Sequence, residues 1–220
     1  MNLPVLAFFL HNVLATVLLG GKFAKQGDPV FRNFGFALLL DALAFAVWSY
    51  AILARPTNLE DFVSWGTAIF IVSLLFLLNA GLQGAAQSLR RTLVIIGAVV
   101  GAVVFYVGGM AAFPSTPAIS ADGFFFFNVH PLLQALYVFM LALTAFPAID
   151  AVARKFSGAY ANLVRYGFTA AVAGGMILVT STSMETAAQN EALYLAGGIL
   201  GLVYLVLWVS LVFNRKAWAA

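Results

Sequence analysis

The chain contains no cysteine, which excludes disulfides, thiolate metal sites and thiol-linked redox chemistry. Charge is nearly as scarce. Only 9% of the 220 residues are Asp, Glu, Lys or Arg, where a soluble domain has about a quarter. Histidine occurs twice, at His11 and His130. No HExxH zinc-protease pair, GxSxG nucleophile elbow or glycine-rich phosphate loop is present. The last apolar run holds no lysine, so a retinal Schiff base has no site there.

Hydrocarbon fills the chain instead. Hydrophobic residues make up 63% of it, and its mean hydropathy is +1.00. A soluble protein of this composition could not cover its own surface, so its solvent is expected to be the lipid bilayer. Apolar runs cover residues 3–20, 31–54, 62–82, 92–113, 124–147, 164–184 and 192–213. Each is close to the ~20 residues that a helix needs to cross a bilayer. Strands of a β-barrel would be about ten residues long and would alternate in polarity. The breaks are Gly20-Gly21, Arg55-Pro56, the stretch from Gln83 to Arg91, and Pro114-Ser115-Thr116-Pro117. The expected fold is an all-α, seven-transmembrane bundle, with residues 1–220 forming one polytopic membrane domain.

Ten of the 11 basic residues fall in gaps of one parity: Lys22, Lys25, Arg32, Arg90, Arg91, Arg154, Lys155, Arg165, Arg215 and Lys216. Arg55 alone lies in the other set. Basic loops stay on the cytoplasmic side, so the amino terminus is expected outside and the carboxy terminus inside. The first run is followed, not preceded, by basic residues, so it is expected to remain as a span. This places the chain in a cell's inner (cytoplasmic) membrane. The net charge of +3 comes from short loops rather than one continuous face, so nucleic acid is not an expected partner.

Seven such spans divide as three, a linker and three, a parallel repeat of residues 1–91 and 124–216 joined by helix 92–113. Phe8 to Leu14 and Phe127 to Leu133 both read FxxHxxL, and Phe34-Gly35-Phe36 is echoed by Tyr166-Gly167-Phe168. Gly97 with Gly101, and Gly197 with Gly201, have the spacing that lets helix backbones approach.

The polar residues inside the spans are the functional candidates. His11 and His130 are expected about 12 Å and about 9 Å below their outer helix ends, at ~1.5 Å per residue. Two imidazoles at matching depth are the usual donors for a b-type haem, or for part of a transition-metal site. Asp41 is the one acid near mid-span, with no basic residue at its depth. It is expected to be proton-linked, or to orient His11, with Asn79 as the other partner. Asn79, Asn128, Gln134 and Ser181 are expected to line an outward-facing polar pocket.

Three functions follow as alternatives. The first is a redox component carrying haem b or a metal on His11 and His130 and exchanging electrons with a quinol. The second is a small transporter or ligand sensor working through Asp41. The third is an accessory subunit among the other subunits of a respiratory membrane complex. The stretch from Phe34-Gly35-Phe36 through Leu74 to Arg91 resembles the middle helices of haem-copper oxidase subunit III. Gly123 to Tyr137 is similar to its paired-histidine helix. One histidine of that pair is missing here, and the family's intramembrane glutamate has no counterpart.

Overall fold

The computed structural model describes residues 3–84, 89–119, 125–181, 187–214 and 218. Seven helices run in chain order: α1 (Leu3–Ala24), α2 (Pro29–Ala54), α3 (Leu59–Gly84), α4 (Leu89–Ala112), α5 (Pro131–Ala153), α6 (Gly158–Ser181) and α7 (Ala187–Phe213). Between α4 and α5, β1 (Ala118–Ile119) pairs antiparallel with β2 (Phe125–Phe126), Ala118 opposite Phe126. Four stretches, Pro29–Ala54, Leu59–Gly84, Thr92–Ala112 and Pro131–Ala153, are long and apolar enough to cross a membrane, with mean hydropathy of 2.0 to 2.4. The chain is a multi-pass membrane protein.

The helix boundaries follow local chemistry. Asp28 caps α2 by accepting from the backbone N–H of Val30 at 2.8 Å and Phe31 at 3.4 Å, with Pro29 just inside the helix. Arg55 closes α2 in the left-handed region, φ 46°. Proline also starts α5, and here the expected boundary is corrected. The fifth helix begins at Pro131, not at residue 124, because the preceding residues form β2 and His130 is the N-cap. It then runs on to Ala153, past Pro147.

Packing closes the helices into a ring. Neighbours in space are α1 with α2, α2 with α3, α3 with α5, α5 with α6, α6 with α7, and α7 with α1. Helix α4 stands outside this ring and packs chiefly on α5. Its Gly97 and Gly101 have nothing within 4 Å of where a Cβ would sit, so the expected GxxxG close approach does not occur on this helix. Close approach occurs instead between α1 and α2. A Cβ on Gly35 would press into the Ala24 backbone and lie 2.8 Å from the Gly20 carbonyl oxygen.

The bundle has two unlike ends. At the end carrying the α1–α2 and α5–α6 connections, Phe23 is fully buried with ring centroids of Phe31, Phe34, Phe156, Phe168 and Trp218 between 5.0 and 6.3 Å away. Around this aromatic plug the charges pair. Lys155 meets Asp28 at 2.7 Å, and Asp150 meets Arg154 and Arg165, each at 3.1 Å. Lys22 donates to the Leu211 and Val212 carbonyls at the last turn of α7. At the opposite end lies the β1–β2 hairpin, and after it Asn128 (φ 46°) donates to the Thr116 carbonyl at 2.8 Å.

Partial burial raises the Asp28 carboxyl's proton affinity, but the Lys155 ammonium and the two capping N–H groups outweigh it, so its pKa is held below the usual aspartate value. The depressed pKa makes its contribution fully present above the ordinary carboxylate range and lost as pH falls through the lowered value. Asp28→Ala is expected to cost about 1–2 kcal/mol at neutral pH, from a lost cap and an exposed ion pair. Denaturation in detergent should show that difference shrinking in acid. Gly35→Ala should lower thermal stability by about 1–3 kcal/mol through overpacking. Gly97→Ala should be neutral or mildly stabilising, and equal losses from both would contradict the close contact at Gly35.

Candidate functional site

A cavity of about 150 Å³ lies between the helices of the ring. Among the described residues its wall is mostly aromatic and aliphatic, and it carries one ionisable acid, Asp41, and no Lys, Arg or His. Asp41 lies at position 13 of the 26-residue α2, near mid-helix. Toward the hairpin end the cavity is lined by Phe127, whose ring meets Trp48 edge-on at 5.2 Å. Its floor is formed by Phe34 and Phe168, at 4.9 Å, which belong to the aromatic plug.

Helix α3 supplies the partner for Asp41. Fully buried Ser73 reaches Asp41 Oδ1 at 2.5 Å and the Phe70 carbonyl oxygen at 2.8 Å. A hydroxyl has one proton to donate. If Asp41 is ionised and takes that proton, the second short contact sets two lone pairs against each other. A carboxylic acid donating to Ser73, with Ser73 donating to Phe70, satisfies both contacts. The geometry therefore fits a neutral, protonated Asp41 in the empty cavity.

Three tyrosines face the same space. Tyr137 of α5 is stacked on Phe70 at 5.0 Å, with Tyr106 of α4 at 6.3 Å. Tyr204 of α7 is 2% exposed and lines the cavity, and its hydroxyl has no hydrogen-bond partner among the described residues. Tyr137 and Tyr204 both lie within electrostatic reach of Asp41. Trp48 Nε1 is likewise unpartnered, but it faces Gly66, where a Cβ would collide with the indole.

The candidates expected from sequence separate. Asp41 and Gln134 line the cavity. His11, half-buried on α1, accepts a hydrogen bond at Nε2 from Trp208 Nε1 on α7, at 2.9 Å. Trp208, not Asp41, is thus its partner, and Ser73, not His11 or Asn79, is the partner of Asp41. His130 is not inside a span. It is exposed at the start of α5, where Nδ1 accepts from the Leu132 N–H at 3.3 Å and the ring stacks on Phe113 at 4.3 Å. The matching depth of the two histidines is therefore corrected, because His130 precedes its helix whereas His11 lies on the third turn of its own.

Asn79 is exposed near the plugged end, in a chain where Asn33 donates to Gln83 at 3.2 Å and Gln83 donates to Asn79 at 3.1 Å. Asn128 is on the hairpin. The Ser181 side chain lies outside the described residues. Sequence reading missed Ser73 and the tyrosines. The signal for Ser73 was available: a hydroxyl deep within the apolar run of α3 has to find a partner.

The chain matches no protein-family model, no curated protein and no solved structure.

Two substitutions check this geometry. Ser73→Ala strips Asp41 of its hydroxyl and is expected to lower stability by about 1–3 kcal/mol. Tyr204→Phe removes an oxygen that bonds none of the described residues, so stability should be unchanged or slightly higher. A loss above ~1 kcal/mol, the usual worth of one hydrogen bond, would show that the phenol is bonded in the native protein.

Proposed function

We propose that the chain is a small transporter or ligand-binding sensor that holds its ligand in the central cavity, with the Asp41 proton linked to occupancy. The observation that carries this reading is a carboxyl group, the one acid among the described residues of the wall, held by one hydroxyl beside an aromatic cavity lined from all seven helices. A buried acid is costly in an apolar bundle, and such groups mark substrate or proton pathways. A concave, largely apolar cavity with a few polar groups is also the usual form of a small-molecule site.

The seven-span arrangement belongs to this proposal. Helices α1, α2 and α3 would form one set of three and α5, α6 and α7 the other, with α4 as the linker standing outside the ring. The second helix of each set opens at Pro29 and at Gly158, an offset of 129 residues. A two-fold axis through the ring relates the contact of α3 with α5 to that of α7 with α1. It would place the cavity between the halves, as in transporters built from repeats. In this register His11 and His130 are not equivalent, because His11 aligns within α5 near Phe139. The plugged end carries the basic loops, so it is the cytoplasmic one in this proposal.

Thermal-shift screening of the purified protein against a small-molecule collection tests the reading. Ligands should raise the melting temperature of the wild type but not of Ala171→Trp, which fills the cavity. A collection that stabilises both equally, or neither, counts against it. The redox alternative, with haem b or a metal on His11 and His130, predicts a Soret band or bound metal lost in His11→Ala and His130→Ala. Finding either would replace the present reading.

A further inference from the structure

We propose that the ligand is a small organic cation, an ammonium with an apolar body about the size of one aromatic ring, which exchanges for the proton of Asp41. The inference rests on the cavity-binding reading above and names the chemistry of its occupant. Three independent features point to it.

The first is the sign of charge. Asp41 is the one ionisable acid on the wall, and no basic side chain offsets it among the described residues. An anion entering this space would leave water for a site without a cation, at a cost of several kcal/mol. A cation finds a carboxylate.

The second is the wall. Phe45, Phe70, Tyr106, Tyr137, Phe168 and Tyr204 line the same space as Asp41, and aromatic faces attract ammonium groups through their quadrupoles. A metal ion such as Ca²⁺ is poorly served, since it needs six or more oxygen ligands converging at about 2.4 Å. No group of three or more His, Cys, Asp or Glu side chains that could hold a metal occurs among the described residues.

The third is an unpartnered buried oxygen. The Tyr204 hydroxyl has no hydrogen-bond partner among the described residues. A phenol oxygen is an acceptor, and an ammonium N–H is a donor that could satisfy it. The volume sets the size, because a cavity of 150 Å³ lined by apolar side chains takes up benzene in another protein.

The exchange balances. In the empty protein the proton lies on Asp41, within the chain to Ser73 and Phe70. When the cation enters, that proton leaves to water, and an Asp41 carboxylate faces the ammonium. Each bound cation therefore releases one proton. Among the described residues, the polar groups that share the cavity with Asp41 are Asn12 and Thr16 from α1, Thr67 from α3, Tyr106 from α4, Gln134 and Tyr137 from α5 and Tyr204 from α7, with Ser73 of α3 bonded to the carboxyl group. The α6 residues described there are Phe168 and small or aliphatic ones. The tyrosines carry no charge near neutral pH, so Asp41 is the group that titrates.

The test uses the full chain in detergent and three probes of similar size. Benzyltrimethylammonium is a permanent cation, benzyl alcohol is neutral and benzoate is an anion. Benzyltrimethylammonium is expected to bind in preference to the other two. Its affinity should rise about tenfold per pH unit while Asp41 is protonated in the free protein, as linkage of one proton requires. Benzylamine, whose N–H groups can reach Tyr204, should bind more weakly to Tyr204→Phe, and benzyltrimethylammonium should not. Asp41→Asn should abolish proton release and the pH slope. Phe70→Leu should weaken binding about twofold to thirtyfold, the range of cation–π contacts, without changing the slope.

Benzyl alcohol binding as well as the cation, with no proton released, would overturn the cation inference and leave the cavity-binding reading intact. If no probe binds and no compound in the wider screen stabilises the wild type over Ala171→Trp, the cavity reading fails as well.

Discussion

A carboxyl group stands near the middle of a hydrophobic helix with no cation near it, and much of the bundle can be understood from how that group is accommodated. Hydrocarbon will not solvate an ionised carboxylate, so the group must be neutral, paired or facing a polar space. Ser73 on the adjacent helix meets it at hydrogen-bond distance. The α2–α3 packing that brings Ser73 there is set further along the same pair of helices, where Trp48 of α2 fits against Gly66 of α3. A side chain at residue 66 would force the indole aside and with it the register of the two helices. Local sterics thus fix the distance at which a proton can be shared.

The membrane character and the succession of helices were legible from apolar run length, because a helix in hydrocarbon must keep its backbone paired for the full crossing; their breaks were less so, since Gly20-Gly21 lies inside α1. Asp41 was legible for a related reason: an acid in such a run has no inexpensive place to go. His130 was misplaced because the aromatic run Phe124 to Phe127 reads as the start of a helix. In fact a short strand and an N-cap precede Pro131, and proline's fixed backbone favours the first turn of a helix. Apolarity measures solvent, not backbone conformation.

The tyrosines escaped notice for a different reason. Tyr106, Tyr137 and Tyr204 sit in apolar runs where a phenol passes for hydrophobic filling, and only the three-dimensional arrangement shows them converging from α4, α5 and α7 on one space. The glycine pairs show the same limit from the other side. Spacing marked Gly97 and Gly101 as a contact face, but the helix that carries them lies outside the ring. The glycines that do admit a neighbour, such as Gly20 and Gly35, have no recurrent spacing to announce them.

The two ends of the bundle are tied by different kinds of interaction, and that difference has a mechanical consequence. At one end the halves are stitched together three times across the chain: Lys155 to Asp28, Lys22 to the end of α7, and Arg154 to the Gly84 carbonyl at 3.3 Å. At the other, among the described residues, the Phe127 ring meets Trp48 edge-on beside the cavity. Charged groups and hydrogen bonds hold direction as well as distance, whereas ring contacts slide at little cost. The stitched end thus resists a change in the angle between the halves as well as in their separation, as the spine of a book does.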